Sequence, residues 1–290
     1  MSKLRICVIS PGFGGGGSED MAIKSANYYF QEEHDVIFLS FKKNGRLRKR
    51  LISEIPVIYV KMKNILSLSF EKKLKKYRFD HTISFLRHTN IASFLARRMG
   101  TLKTNILHLI EVNTFDGQRK LNFLQRLLQN FFLKISYKFT EDIIAVSELV
   151  KNQIKKKFKI SKNIRVVGNP CIDKKKINLI KKKKNTHKYK KFVAAGRLHL
   201  QKDFLLLLRA FKDLKKLKKK NLDTLSIYGV GPEYYNIKKF IKDNKLSKFI
   251  KMKGFTDKLD EHLTSYDAFI LSSKYEGFGN VIIIALNAGL

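Results

Sequence analysis

The sequence predicts an α/β protein made of two doubly wound units in tandem, each a parallel sheet with helices on its faces. Three observations carry this. Short apolar runs without alternation recur, beginning with Arg5 to Ser10 (Arg-Ile-Cys-Val-Ile-Ser), as expected of strands covered on both faces. Amphipathic segments of helical period separate them, as at Leu205, Leu208, Phe211 and Leu214. The alternation breaks at Gly168-Asn169-Pro170 and the lysine-rich stretch Lys174 to Lys191, then resumes at Phe192. The expected division is a first unit 1–170, a basic linker 171–191 and a second unit 192–290.

In order, the first strand runs into Pro11 to Asp20, a loop holding Gly12 and Gly14-Gly15-Gly16-Gly17. Ser18 is the expected N-cap of a helix over Met21 to Phe30. Gly12, Gly14 and Gly17 satisfy G-x-G-x-x-G, so a dinucleotide site must be weighed. The next strand, Asp35 to Phe41, ends on Ser40-Phe41 without the carboxylate that would hold a ribose, which argues against NAD. Further short strands are expected at Val57 to Val60, Thr82 to Phe85, Asn105 to Ile110, Ile143 to Ser147 and Ile164 to Val167. Helices are expected around Phe70 to Tyr77, Ile91 to Arg98 and Glu148 to Phe158. Leu121 to Phe139 sets Leu121, Leu124, Leu128, Phe131, Phe132, Ile135 and Phe139 on one helical face, flanked by Arg119, Lys120, Arg126, Lys134 and Lys138. Packing against a core is the commoner fate of such a face, and a membrane-surface helix is the alternative. His108, Glu111 and Asn113, near one strand end, are candidates either for facing a ligand or for ordinary loop polars.

The second unit reads as strand Phe192–Gly196, a helix from Asp203, strand Leu225–Tyr228, the loop Gly229-Val230-Gly231-Pro232 and a helix over Tyr234 to Asp243. Strand Ile250–Gly254, a helix near Leu259–Ser265, strand Ala268–Ser272 and a helix over Asn280–Leu286 follow. Arg197 and Lys202, in the loop after its first strand, would form a receptacle for a diphosphate at the mouth of the sheet. Two solvated cations of a basic protein are the blander reading.

At 290 residues and 44% hydrophobic, the chain can bury one large core or two ordinary ones. The formal charge of +36 suits nucleic acid, anionic lipid or a phosphorylated substrate. Yet the lysines are spread through the chain, and the run Lys181 to Lys184 lies between folded-looking segments, so compositional bias is expected for most of the excess. No nucleic-acid-binding pattern accompanies it, and nucleic acid is not an expected partner. Cys7 and Cys171 make neither a disulfide framework nor a metal spacing. The apolar run Ile6 to Ile9 is too short for a signal peptide core or a bilayer span, so a cytoplasmic location is expected.

Gly196-Arg197-Leu198 with Gln201-Lys202-Asp203-Phe204, then Ile227-Tyr228-Gly229-Val230-Gly231-Pro232, then Ser272-Ser273-Lys274-Tyr275-Glu276-Gly277-Phe278-Gly279-Asn280, stand in a telling order and spacing. With the glycine loop, Asp142 to Ser147 and Asn169-Pro170, they make the chain resemble the family-4-type glycosyltransferases (group 1 type) along almost its whole length. The resemblance implies the GT-B fold, two Rossmann-like domains facing across a cleft, with the acceptor mainly on the first and a nucleotide-sugar donor on the second. It implies catalytic roles for Arg197, Lys202 and Glu276: the two cations bind the donor diphosphate, and the carboxylate holds hydroxyls of the transferred sugar. It implies donor contacts at Gly15, Gly16, Gly196, Gly229, Gly231, Phe255, Gly277, Phe278, Gly279 and Asn280. Transfer with retention, no cofactor and no metal are implied too, and no Asp-x-Asp occurs to carry one. A UDP-sugar is the expected donor and a glycan or lipid-linked sugar the acceptor, in surface polysaccharide synthesis at the inner face of the membrane, with an anionic membrane surface as a further partner.

Two departures stand out. Relatives carry a second glutamate eight positions after the first, gripping the ribose; here Ile284 occupies that place. Relatives also continue beyond Ala288-Gly289, so the second unit is expected to be cut short. A non-catalytic remnant, or a basic nucleic-acid or membrane binder, are the alternatives these departures keep open.

Overall fold

The computed structural model describes residues 2–60, 74–115, 122–172, 190–217 and 223–290. The first half of the expected helix around Phe70 to Tyr77, up to residue 73, and most of the expected linker, including Lys181 to Lys184, lie outside the described residues. The chain separates into two compact units, Met1–Asn169 and Pro170–Leu290.

The first unit is a seven-stranded sheet of β1 (Arg5–Ser10), β2 (Asp35–Ser40), β3 (Val57–Tyr59), β4 (Arg78–Phe85), β5 (Lys103–Glu111), β6 (Asp142–Ala145) and β7 (Arg165–Val166), in the order β3-β2-β1-β4-β5-β6-β7. Every pairing is parallel. Strand β1 shows why its run does not alternate. Ile6 and Val8 pack with Met21, Ala22, Ile23 and Ala26 of α1 (Gly17–Gln31), while Cys7 and Ile9 pack with Ala92 and Ala96 of α2 (Arg87–Arg98). Burial pushes the Cys7 thiol far above its usual range, leaving it an inert core residue.

The N-cap of α1 is Gly16 rather than Ser18. Glu19 reaches back to accept from the amides of Gly15 (2.9 Å) and Gly16 (2.7 Å), so the cap is carried by a carboxylate within the helix.

Helix α3 (Phe123–Phe139) corrects the expectation of a core-packed face at Leu124, Leu128 and Phe131. Those residues are exposed, and Leu133, Ser136 and Tyr137 are buried instead. The reason lies in a polar anchor. Glu111, fully buried, accepts from Tyr137 Oη (2.8 Å), Arg87 Nε (3.2 Å) and the Asn113 amide (3.2 Å). Arg87 also donates to the carbonyls of Asn113 (2.6 Å) and Thr114 (2.8 Å), and its guanidinium lies 3.8 Å from the Phe115 ring centroid. Drawing Tyr137 inward turns the larger apolar stripe of α3 outward. Helix α4 (Glu148–Phe158), capped by Ser147, buries Val150, Ile154 and Phe158 as its period predicts.

A second polar ladder crosses β4 to β7. His81 Nδ1 lies 3.0 Å from His108 Nε2, His108 Nδ1 lies 2.6 Å from Asp142 Oδ2, and Arg165 donates to Asp142. Thus Glu111 and His108 hold the sheet and the loop behind it.

The second unit is a parallel sheet of β8 (Lys191–Ala195), β9 (Thr224–Tyr228), β10 (Ile250–Gly254) and β11 (Ala268–Phe269), in the order β10-β9-β8-β11. On one face α5 (Phe204–Leu217) buries Phe204, Leu207, Leu208 and Phe211, and α6 (Tyr234–Asp243) buries Ile237 and Ile241. The other face packs Val193, Ala195 and Tyr228 against Leu263 of α7 (Leu259–Leu263) and Ala285 of α8 (Asn280–Asn287). Asp203 is left-handed (φ 43°), so α5 starts one residue later than expected. Strand β11 is shorter than expected because the chain beyond Ile270 leaves the sheet to bond the loop after β8.

Two outcomes test this architecture. Glu111→Ala leaves Arg87 buried without its carboxylate and should lower stability by about 3–5 kcal/mol in urea unfolding. Burial and the neighbouring His108 hold His81 below its ordinary value. Burial would raise Asp142, but hydrogen bonds from Arg165 and His108 outweigh it and hold that carboxyl down. Both groups bind protons more readily when unfolded, so their contribution to stability fades on acidification, from about pH 6.5 downward for His81. The urea midpoint should therefore fall between about pH 7 and pH 5, and His81→Gln should flatten that slope.

Candidate functional site

Strand order in the second unit reverses between β8 and β11, so the loops leaving these two neighbours diverge and open a crevice at the carboxyl ends of the strands. The loop after β8 carries Gly196, Arg197 and a 3₁₀ turn, Leu200–Lys202; the loop after β11 carries Ser272 to Gly279. They are stitched together. Ser272 Oγ donates to the Lys202 carbonyl (2.8 Å), the Lys274 amide to the Gln201 carbonyl (2.9 Å), and Gln201 Nε2 to the Tyr275 carbonyl (2.9 Å). Lys274 Nζ lies 3.4 Å from Asp203 Oδ2. At the centre Lys202 Nζ pairs with Glu276 Oε1, both side chains largely withdrawn from solvent.

Arg197 is exposed beside this pair in sequence, with no ion pair among the described residues. Its loop is fixed from behind. The Leu198 amide donates to the Val230 carbonyl (2.9 Å), the Glu233 amide to the Leu198 carbonyl (3.0 Å), and the Gly196 amide to the Tyr228 carbonyl (3.0 Å). Gly229 (φ 144°) and Gly231 are glycines for packing reasons: a Cβ would lie 1.9 Å from the Gly196 oxygen at the first and 2.2 Å from the Leu198 oxygen at the second. Gly196 serves Lys202 directly, since a Cβ there would lie 3.3 Å from Lys202 Cε.

Helix α8 begins after Gly279, which is left-handed (φ 80°), so Gly277, Phe278, Gly279 and Asn280 surround its amino end, where free N–H groups and the dipole favour an anion. Phe255 follows β10 and is exposed. Ile284 is partly buried against the cluster of Val193, Ala195, Tyr228 and Leu263, so this position offers no acceptor. Behind that cluster the Tyr228 and Tyr266 hydroxyls lie 3.1 Å apart, and burial pushes Tyr228 up to about 12. The zipper residues Gln201, Asp203, Ser272 and Lys274 went unassigned from sequence, because their bonds are mostly to backbone and follow no residue spacing.

In the first unit the strand order reverses between β1 and β4, and the glycine loop follows β1. Gly15 and Gly16 lie there, with their amides engaged by Glu19. The Lys42 stem packs on Gly12, and burial followed by the charge of Lys42 holds nearby His88 below its usual range.

Gly229→Ala tests the packing directly. The methyl must displace the Gly196 carbonyl, so about 1–3 kcal/mol of stability should be lost in urea unfolding.

Known proteins resemble this chain along nearly its whole length. The model of the family described as Glycosyltransferase Family 4 matches residues 15–173, and that of Glycosyl transferases group 1 matches residues 175–290. A relative in Campylobacter jejuni, N-acetylgalactosamine-N,N'-diacetylbacillosaminyl-diphospho-undecaprenol 4-alpha-N-acetylgalactosaminyltransferase, is 26% identical over 81% of this chain. The amylovoran biosynthesis glycosyltransferase AmsD of Erwinia amylovora is 29% identical over 53% of it. The chain spans 62% of the length of the first and 43% of the second. Among solved structures, Anabaena HepE in complex with UDP and glucose superposes with a TM-score of 0.77 at 16% identity, covering 99% of this chain and 79% of its own. A glycosyltransferase from Rickettsia africae gives 0.73 at 22% identity, covering 99% and 78%. The fold is therefore GT-B, and with a family match over more than half its length the protein belongs to glycosyltransferase family 4.

Proposed function

We propose that this chain transfers a sugar from a nucleotide-sugar, a UDP-sugar, to a glycan or lipid-linked acceptor with retention of anomeric configuration, in the building of a surface polysaccharide. The observation that carries the reading is the meeting of Lys202 and Glu276 at the switch point of the second sheet, next to the amino end of α8. HepE, solved with UDP and glucose, supports the donor class, and the name of the Campylobacter relative supports a diphospho-polyprenol acceptor.

The chemistry suits these groups. As the bond from anomeric carbon to diphosphate oxygen breaks, its electron pair leaves with the diphosphate while the sugar becomes oxocarbenium-like. The acceptor oxygen bonds the anomeric carbon and its proton passes to the leaving diphosphate. Arg197, Lys202 and the α8 amides meet the growing negative charge, which favours the transition state over the ground state. Glu276, acceptor-only when ionised, orients the sugar through its hydroxyls. On this reading the ion pair seen here is the resting arrangement: the diphosphate takes over Lys202, and the sugar hydroxyls take over Glu276. The Gly15 and Gly16 amides are held by Glu19, so the donor reading rests on the second unit alone.

Ile284 favours a second reading, a degenerate site of reduced donor affinity. A missing charge-assisted hydrogen bond to ribose is worth roughly 1.5–3 kcal/mol.

Titration calorimetry with UDP at low and high salt separates the readings. The proposal expects saturable binding that survives salt, falls at least about tenfold in Arg197→Ala, and strengthens in Ile284→Glu. Binding that vanishes with salt and ignores Arg197 would instead mark nonspecific attraction to a basic surface. Release of UDP from a UDP-sugar then distinguishes an active enzyme from a remnant.

A further inference from the structure

Three loops at the carboxyl ends of the first sheet carry charged groups that the fold leaves unused. Strand β1 lies between β2 and β4, so the glycine loop after β1, Lys42 after β2 and His88 at the start of α2 emerge side by side. Glu19 Oε2 takes the Gly15 and Gly16 amides, while its Oε1 takes no hydrogen bond among the described residues. A Cβ on Gly12 or Gly14 would lie 3.3 Å from that oxygen, and one on Gly12 would also lie 3.1 Å from Lys42 Cβ. These glycines keep side chains out of the space beside Glu19 and Lys42.

Among the described residues Lys42 has no ion pair, and the partly buried ring of His88 has no hydrogen bond. Buried polar groups are ordinarily paired, so an idle imidazole calls for a partner from outside. Burial and then the charge of Lys42 hold His88 below its usual range, with Glu19 pulling the other way. The neutral ring offers one N–H and one acceptor nitrogen. The backbone is strained to place it. Leu86, two residues ahead, has φ 84° and ψ 146°, a conformation a non-glycine residue keeps only where its surroundings enforce it. Thr89 Oγ1 (2.6 Å) and the Asn90 amide (2.8 Å) both donate to the Leu86 carbonyl and pin it. The amides of Arg87, His88 and Thr89 precede that first helical bond and have no partner within the helix.

A carboxylate so close disfavours a bare polyphosphate and suits a ligand that brings hydroxyls with its charge. We infer that Glu19, Lys42, His88 and the first turn of α2 form a second ligand site, which binds a glycosyl phosphate. Lys42 and the α2 amides take the phosphate, and Glu19 Oε1 and the His88 ring hold sugar hydroxyls. The inference deepens the proposed function and rests on it for the site's role: the first unit grips the phosphate-bearing end of the acceptor.

Calorimetry with N-acetylglucosamine 1-phosphate tests it, with UDP as the control ligand. The sugar phosphate should bind saturably, more tightly than N-acetylglucosamine, and at least about tenfold more weakly in Lys42→Ala. His88→Gln should cost about threefold to tenfold, and neither variant should change UDP affinity. Of the ring NMR signals of the seven histidines, the one missing in His88→Gln should move with the sugar phosphate and not with UDP. Tighter binding of the farnesyl diphosphate conjugate of the same sugar would mark a lipid carrier as the source, and equal affinity a soluble sugar phosphate; either supports the site. No binding, equal affinity in wild type and both variants, displacement by UDP, or an unmoved His88 signal would each overturn the inference. Failure of UDP to bind, while the sugar phosphate keeps its dependence on Lys42 and His88, would uphold this site and sink the donor reading instead.

Discussion

The contact between Lys202 and Glu276 joins two loops 74 residues apart, and the chemistry proposed for the second unit depends on it. It exists because β8 and β11 are neighbours in the sheet while their following loops leave in different directions. Left alone, such loops would splay. The bonds from the Ser272 hydroxyl to the Lys202 carbonyl, the Lys274 amide to the Gln201 carbonyl and the Gln201 side-chain amide to the Tyr275 carbonyl draw them together without using the side chains of Lys202 or Glu276. A partly desolvated ion pair adds little net stability, since removing two charges from water offsets most of their attraction. Its placement in a crevice is what a binding role proposed for the pair would require.

The two units use polar residues differently. In the first, Arg87, Glu111 and Tyr137 turn inward and satisfy one another, fixing α2, α3 and the loop after β5. In the second, Arg197 stays exposed, on a loop whose backbone is locked by Leu198, Val230 and Glu233. A cation held on a fixed backbone with its head free costs little reorganisation when charge develops nearby. Gly229 and Gly231 belong to that backbone lock, and the packing they permit accounts for their identity.

Much of this was legible in the residues. Strands such as Arg5–Ser10 and Ile250–Gly254, and helices such as Glu148–Phe158 and Tyr234–Asp243, follow from apolar runs and period alone. The pairing of Lys202 with Glu276 was legible only through resemblance, because no local pattern links positions so far apart. Two features were not legible. Helix α3 has apolar residues on much of its circumference, so period could not say which side faces inward; a single buried hydroxyl, that of Tyr137 on Glu111, decided it. Likewise the glycine loop suggests open amides, whereas Glu19, three residues into the helix start, occupies two of them.

The central claim is a division of labour in which Lys202 serves the diphosphate and Glu276 the sugar. The most direct measurement compares UDP affinity with sugar release from a UDP-sugar in Lys202→Ala and Glu276→Gln. The account predicts that Lys202→Ala weakens both, whereas Glu276→Gln loses sugar release by on the order of a hundredfold while UDP binds as well as before or better, its lysine set free. Equal loss of UDP affinity in the two variants would contradict it.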